Sequence, residues 1–206
     1  MTGTPRRALT EDDMNRMRIP RRFWSTTPSG VPESNLSGPL TNYLASIGEK
    51  REAGYGMLLM GDNGRGKTSA GCLVLMEARR QYHTALFVEG SRLRSILFDS
   101  EMFDEHQKLW DRMVQVDFLL IDDWGKGTAD AKGYAAQILD DLVRLRSADM
   151  RPTIITTNMD MLRIKESESM KKSTVEALLE CVLFLEVGGP NLRAKQVTDV
   201  VAAFRS

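Results

Sequence analysis

The chain has 206 residues, of which 42% are hydrophobic and 27% are charged, so it is long enough to form one full-sized globular domain. Its 28 basic and 28 acidic side chains cancel, and no overall electrostatic field indicates a nucleic-acid or membrane partner. No apolar run approaches the roughly 20 residues of a membrane span, the N-terminus lacks a signal-peptide core, and Cys72 and Cys181 form no CxxC pair. These features predict a soluble cytoplasmic protein without a structural zinc site.

The first 38 residues differ in composition from the rest of the chain. They contain several prolines with serine, threonine and glycine between them, and the first 25 residues carry six arginines against three acidic side chains. This composition predicts an extended basic N-terminal arm over residues 1–38, with a helical turn around 10–17, ahead of a core domain over 39–206. Such an arm is either a solvated segment or one that contacts DNA or a protein partner.

The core begins with a predicted helix and continues with short apolar runs that alternate with longer helical stretches. Leu40, Tyr43, Leu44 and Ile47 fall on one face of a helix within residues 40–53. The alternation predicts an α/β domain with three layers and a mainly parallel five-stranded sheet buried on both faces. The predicted strands are 56–60, 84–89, 116–122, 152–158 and 182–187, and the helices between them are 67–82, 91–98, 101–113 and 131–148.

The turn after the first predicted strand, GDNGRGKT, fits the phosphate-loop pattern GxxxxGK[ST]. Glycines allow the backbone conformations in which successive N–H groups surround phosphate oxygens, and the following helix adds its positive N-terminal end. Because the pattern follows a strand and opens a helix, it predicts a nucleotide-binding site. The predicted binding residues are Gly61, Asp62, Asn63, Gly64, Arg65, Gly66, Lys67, Thr68 and Ser69, with Lys67 on the β- and γ-phosphates and Thr68 on Mg²⁺.

Two further strand ends carry polar side chains that suit phosphate chemistry. The run VDFLLIDDW ends in Asp122 and Asp123, where an open α/β sheet binds its ligands. We expect Asp122 to contact the Mg²⁺ shell and Asp123 to polarise the attacking water. The run TIITTN ends in Asn158, which is expected to orient that water or to sense the γ-phosphate. An aspartate at the second acidic position reaches less far than a glutamate, so slow hydrolysis is expected.

Together these motifs resemble the additional-strand P-loop ATPases of the AAA+ group, and more closely their DnaC/IstB-like branch of helicase loaders and transposition helper ATPases. The resemblance implies a P-loop NTPase fold that binds ATP and Mg²⁺, with Asp122 and Asp123 as the Walker B pair and Asn158 as sensor 1. It also implies assembly on single-stranded DNA or on a replicative helicase. The segments that carry the resemblance are IPRRFW (19–24), GDNGRGKT (61–68), LLIDDWGK (119–126), RPTIITTN (151–158) and VGGPNLR (187–193).

The resemblance assigns further roles, and the chain also departs from the family pattern. Ile19 and Phe23 are expected beside the nucleotide base, Arg193 matches a sensor 2-like arginine, and Arg146 matches an arginine ahead of the sensor strand. Residues 173–187, where family members carry an arginine finger, contain neither arginine nor lysine, which indicates weak hydrolysis or another source of the charge. Only 48 residues follow Asn158, so we expect a minimal or absent helical lid.

The leading interpretation is an ATPase that loads or remodels a replicative helicase, and the small size suggests an origin in a phage or another mobile element. A transposition helper with the same core is the nearest alternative. A nucleotide-dependent binder or inhibitor with negligible hydrolysis and a small-molecule kinase also use this loop, although the TTN strand end and the paired aspartates fit a kinase poorly. Basic clusters at 77–83 and 90–95, with Tyr82 nearby, are either candidate contacts for single-stranded DNA or solvated helix ends.

Overall fold

A sheet of five strands lies at the centre of the protein, for which a computed structural model describes residues 6–31, 35–93, 103–125, 134–166, 171–189 and 191. The strands are β1 (Gly56–Met60), β2 (Ala85–Glu89), β3 (Phe118–Trp124), β4 (Thr153–Thr157) and β5 (Val182–Glu186). Their order in the sheet is β2-β3-β4-β1-β5, and every neighbouring pair is parallel. The predicted α/β P-loop fold class is thereby confirmed.

Helices connect the strands, as right-handed crossovers between parallel strands require. Short 3₁₀ turns at Arg21–Phe23 and Pro28–Gly30 precede the first long helices, and residues 90–93 are also helical. The remainder of the helix predicted at 91–98 lies outside the described residues. The α-helices are α1 (Glu11–Arg16), α2 (Ser37–Ala45), α3 (Ile47–Ala53), α4 (Lys67–Arg80), α5 (Phe103–Gln115), α6 (Tyr134–Ala148), α7 (Met161–Glu166) and α8 (Lys172–Cys181).

The two faces of the sheet are buried by different helices, which gives the domain three layers. Alternate residues of a strand point to opposite faces, so Leu120 joins the cluster formed with the N-terminal segment and α2–α4, whereas Ile121 joins the cluster formed with α5, α6 and α8. Helix α4 lies very close to β3: a Cβ on Gly71 would stand 2.7 Å from Leu120 Cδ1. This close contact holds the first turn of α4 near the carboxyl end of the sheet.

The N-terminal segment packs against α4 over its described residues. Thr10 caps α1 with a capping box to Asp13, and Asp13 Oδ1 accepts a hydrogen bond of 2.9 Å from Arg79 Nε. Met17 is buried in the same cluster as α4, and its carbonyl accepts a hydrogen bond of 2.8 Å from the Phe87 amide on the edge strand β2. The described part of this segment is therefore not extended away from the core, because its apolar residues are buried against it. The division of the chain at residue 38 stays a prediction.

Several predicted boundaries differ from those of the structure. The helix predicted over 40–53 begins earlier and breaks at Ser46, which leaves helical geometry (φ −127°, ψ 37°) and separates α2 from α3. Strand β3 continues through both aspartates to Trp124, whose side chain is fully buried. No helix was predicted between the fourth and fifth strands, yet α7 begins at Met161, because Ile164 is buried in the core cluster on that face of the sheet. Tertiary burial, rather than local composition, decides these three cases.

The part of the chain after β4 is described as far as Asn191. It contains α7, α8 and β5, and residues 192–206, which include Arg193, lie outside the described residues. The expectation of a minimal lid therefore stays a prediction. None of the helices in the described ranges has both the length and the apolar character of a membrane span.

Candidate nucleotide-binding site

The strand order brings the three predicted motifs to one edge of the sheet. Strand β4 lies between β1 and β3, with Leu58 paired to Ile155 and Ile155 paired in turn to Ile121. Because the strands are parallel, the loop after β1, the aspartates of β3 and Asn158 after β4 all emerge at the carboxyl edge. A cavity of about 400 Å³ at this edge is lined by residues of all three motifs, among them Lys67, Thr68, Asp122, Asp123 and Asn158.

The loop between β1 and α4 has the backbone geometry of a glycine-rich turn. Gly61, Gly64 and Gly66 have φ angles of 117°, 79° and 88°, which side-chain-bearing residues rarely adopt. A Cβ on Gly61 would also stand 2.8 Å from the Val187 carbonyl oxygen. The loop leads directly into the N-terminus of α4, where the N-cap residue Gly66 makes no side-chain capping hydrogen bond, and a helix N-terminus favours an anion. This is the geometry that can surround phosphate oxygens.

Lys67 lies inside the loop rather than in solvent. Only 6% of the residue is exposed, and Nζ donates hydrogen bonds of 2.5 Å to the Gly61 carbonyl and 2.7 Å to the Asp62 carbonyl. The same ammonium lies 3.2 Å from Oδ1 of Asn158 on the neighbouring strand. A cation held at this point can contact the outer phosphates of a nucleotide seated in the loop.

Asp122 lies at the base of the cavity and is held by hydroxyl groups. Its Oδ1 accepts a hydrogen bond of 2.7 Å from Thr156 Oγ1, and the Thr68 hydroxyl also donates to its carboxylate. Burial raises the pKa of Asp122 above its usual range, and the nearby charge of Asp123 adds to that rise, while the two hydroxyl donors oppose it. A carboxylate and a hydroxyl oxygen at hydrogen-bonding distance are ligands that suit Mg²⁺.

Asp123 stands beside Asp122 but in a different backbone conformation. Its φ angle of 56° is left-handed, and the pairing of β3 with β4 is irregular between Ile121 and Trp124. This bulge turns the Asp123 side chain towards Asn158, whose Nδ2 donates a hydrogen bond of 2.6 Å to its Oδ1. The two adjacent aspartates therefore face different partners and can serve different steps.

The N-terminal segment contributes one wall of the cavity. Phe23 lines it, whereas Ile19 lies in the hydrophobic core and its carbonyl accepts a hydrogen bond of 2.7 Å from the Trp24 indole. Both side chains were expected beside the base, and the structure brings only Phe23 to the cavity. Further lining residues were not predicted, although the second arginine of IPRRFW, the polar run after it and the TT pair before Asn158 were available signals. These lining residues are Arg22, Ser25, Thr26, Thr27, Gly30 and Thr156.

A second cavity of about 520 Å³ lies on the other side of the loop. Asp62 lines this cavity only, while Asn63 lines only the first, and Arg65 lines both. The Arg65 guanidinium donates a hydrogen bond to the Gly189 carbonyl and lies 3.3 Å from the Asp62 carboxylate. Arg65 therefore connects the loop to the segment after β5 rather than pointing freely towards a ligand.

Solved structures with the same arrangement of elements identify the fold. The DnaC helicase loader superposes with a TM-score of 0.68 at 18% identity, covering 82% of this chain and 100% of that one. DnaI gives a TM-score of 0.68 at 22% identity, covering 84% of this chain and 94% of that one. The replication initiator DnaA bound to AMPPCP and single-stranded DNA gives 0.66 at 13% identity, covering 88% of this chain and 56% of that one. The chain has the fold of an AAA+ P-loop ATPase domain.

Sequence comparison adds one relative from a mobile element. Over 107 residues, the chain is 29% identical to a protein of the insertion sequence IS1162 from Pseudomonas fluorescens, whose name describes it as ATP-binding. The match covers 51% of this chain and 44% of that protein, so the matched region spans less than half of the relative's length. No protein-family model matches the chain.

The arginines that the resemblance singled out lie away from the 400 Å³ cavity or outside the described residues. Arg146 is fully buried, and its guanidinium donates to the carbonyls of Met113, Val116 and Pro152 at 2.6, 2.8 and 2.7 Å. Burial lowers its pKa, and neighbouring arginines add to that effect. Arg146 therefore fastens the end of α5 to the start of β4 and is not a surface arginine available to a neighbouring subunit.

The first basic cluster proposed for DNA contact forms ion pairs within the domain. Arg79 pairs with Asp13, and Arg80 lies 3.6 Å from the Glu77 carboxylate. Tyr82 is 62% exposed at the end of α4. In the second cluster, Arg92 lies 4.0 Å from Glu89, and the residues from 94 onward are outside the described part. Of the two arginines of the first cluster, Arg79 is thus directed at the N-terminal segment and Arg80 at its own helix.

Proposed function

We propose that this AAA+ domain binds ATP with Mg²⁺ and hydrolyses it slowly. The observation that carries the proposal is the convergence of Lys67, Asp122, Asp123 and Asn158 on one cavity beside the glycine loop. Lys67, the two aspartates and Asn158 lie far apart in the sequence, and the order of the parallel strands brings them together. A glycine turn that bound no ligand would not require these polar side chains at the same edge of the sheet.

The residues present fit the proposed ligands. A bound Mg²⁺ would be held by the Thr68 hydroxyl and the Asp122 carboxylate, and it would neutralise charge on the phosphates. The buried Asp122 carboxylate, whose pKa is raised, is stabilised in its ionised form by such a cation. Lys67 and the N-terminus of α4 would contact the phosphate oxygens.

Hydrolysis needs a positioned water, and this chain supplies two groups for it. Asp123 would accept a proton from the water, and Asn158, hydrogen-bonded to Asp123 at 2.6 Å, would fix its direction. Two features favour a slow reaction: the second acidic residue is an aspartate, and residues 173–187 contain no arginine. A missing arginine finger costs about 10³-fold or more in rate.

For the biological role, we propose loading or remodelling of a replicative DNA helicase. Support comes from the similarity to the DnaC helicase loader and DnaI, each matched over more than nine tenths of its own length. The similarity to DnaA bound to single-stranded DNA favours DNA as a second contact.

The binding step is tested by titrating a fluorescent ATP analogue with Mg²⁺ into the parent protein and the Lys67→Ala variant. We expect a large loss of affinity in the variant; equal affinity would overturn the phosphate-loop assignment. The role is then tested with the purified replicative helicase of the host, by size-exclusion chromatography with ATP or ADP. Co-elution that depends on ATP supports the loader proposal, whereas no complex in either nucleotide contradicts it.

The relative encoded by an insertion sequence favours a second candidate, a transposition helper. The helper would bind a transposase instead of a helicase, so an ATP-dependent complex with the transposase of a neighbouring gene identifies it. The missing arginine also favours a nucleotide-dependent binder with negligible turnover. Phosphate release measured with and without single-stranded DNA separates this binder from an active ATPase.

A further inference from the structure

Arg22 occupies a place in the nucleotide cavity that neither the phosphate loop nor the strand motifs account for. It lies in the 3₁₀ turn Arg21–Phe23 and lines the 400 Å³ cavity together with Thr68 and Asp122. The central guanidinium carbon stands 4.7 Å from the centre of the Phe23 ring, a cation–π contact that holds the side chain against that wall. Within the described ranges, no carboxylate forms an ion pair with this guanidinium.

Arg22 lies at the metal-binding corner of the cavity. The residues that line this cavity with it include Lys67 and the glycines of the phosphate loop, as well as the proposed Mg²⁺ ligands Thr68 and Asp122. The guanidinium therefore lies near the position where the phosphate chain of a nucleotide would run.

We propose that Arg22 binds the phosphate chain of the nucleotide in cis, as a second cation beside Lys67. The inference rests on the proposed ATP site and deepens it. A guanidinium presents a planar fork of N–H donors that matches two phosphate oxygens, and the stack on Phe23 limits the side-chain entropy lost on binding. Arg22 thus adds positive charge from the N-terminal segment of the same chain, while residues 173–187 supply none.

The adjacent Arg21 provides a matched control. Its guanidinium carbon stands 5.2 Å from the centre of the Trp24 ring, and it is not among the residues that line the cavity. Both arginines are exposed, so neither substitution should alter folding. Replacing each by glutamine removes one positive charge at neighbouring positions, and only Arg22→Gln removes it from the cavity.

The experiment measures the dissociation constant of a fluorescent ATP analogue with Mg²⁺. We expect Arg22→Gln to raise it about tenfold, the loss of one charge-assisted contact, and Arg21→Gln to leave it within about twofold. Arg22→Lys keeps the charge but not the fork, so its value should lie between those of the parent and Arg22→Gln. Thermal unfolding of each variant without nucleotide confirms that the fold is unchanged.

The two proposals fail in different ways. If Arg22→Gln binds ATP within twofold of the parent while Lys67→Ala does not bind, the Arg22 contact is wrong and the ATP site stands. Equal losses of ATP affinity in the Arg21→Gln and Arg22→Gln variants also overturn the inference, because they would show a general effect of the positive charge. A parent protein that binds no ATP overturns both proposals.

Discussion

Asn158 donates a hydrogen bond of 2.6 Å from Nδ2 to Oδ1 of Asp123. The opposite atom of the same amide, Oδ1, lies 3.2 Å from Nζ of Lys67. Lysine can only donate and an ionised carboxylate can only accept, so the two partners determine the orientation of the amide. The end of β4 thus connects the phosphate loop with the paired aspartates, and the candidate site acts as one unit across three strands.

Replacing Asn158 by alanine should reduce ATP hydrolysis about 10²-fold and change ATP affinity by less than about threefold. The amide directs Asp123, and misplacement of a catalytic group has a cost of this order. Single-turnover phosphate release and analogue titration measure the two quantities separately. The exposed Asn42→Ala variant serves as a control and should match the parent in both. An equally large loss of affinity would show that Asn158 acts in binding instead.

Substitutions of the two paired aspartates should give different results in a metal titration. Asp122→Asn should abolish most of the Mg²⁺ dependence of ATP binding, because it replaces the buried carboxylate that faces Thr68. Asp123→Asn should keep that dependence and lose hydrolysis, since Asp123 faces Asn158. Analogue titrations over a range of Mg²⁺ concentrations, with turnover measured in parallel, check both. The same metal response in the two variants would refute the division of roles.

Replacing Arg146 by lysine should destabilise the fold by about 3 kcal/mol, because a buried donor network loses its fork and leaves carbonyls without partners. The guanidinium reaches Met113, Val116 and Pro152, which an ammonium group cannot reach together. Urea unfolding at neutral pH measures the loss. Arg144→Lys is the control, since its side chain is 53% exposed beside Asp140 and should change stability by less than about 0.5 kcal/mol. Comparable stability losses in both variants would contradict the structural role.

The pairing of Asp13 with Arg7 and Arg79 should make stability depend on pH. Burial alone would raise the pKa of Asp13, but hydrogen bonds from Arg7, Thr10 and Arg79 outweigh it and hold the pKa well below its usual range. Because the pKa is lowered in the folded state, the contribution is complete above the ordinary value of about 3.9 and is lost as the pH falls below it.

Asp13→Asn should therefore lower the free energy of unfolding by about 2 kcal/mol at pH 7 and by clearly less at pH 3. Urea unfolding at pH 7 and at pH 3 measures the difference in the free energy of unfolding. Asp12→Asn removes only an exposed ion pair with Arg16 and should change the free energy of unfolding by less than about 0.5 kcal/mol at both pH values. A destabilisation that is independent of pH would indicate lost packing rather than lost charge.

Local patterns in the sequence were sufficient to predict most of the fold. Short runs of mainly apolar or β-branched residues predicted all five strands to within two residues at each end, both for the almost fully buried strands β1–β4 and for β5, which is only partly buried. The helix over 40–53 was predicted without its break at Ser46, and α7 and α8 were not predicted at all. These features depend on which side chains the neighbouring elements bury, and a local window of sequence does not contain that information.

The glycine loop, its lysine and the acidic strand end were determined by the sequence itself, since each depends on residues adjacent in the chain. Tertiary structure alone decided which groups meet. The strand order sets Asn158 between Lys67 and Asp123, and the packing of the N-terminal segment on α4 brings Arg22 to the cavity. The physical reason is that contacts between distant residues follow from the burial of whole faces, so their partners are chosen only when the sheet and its helices assemble.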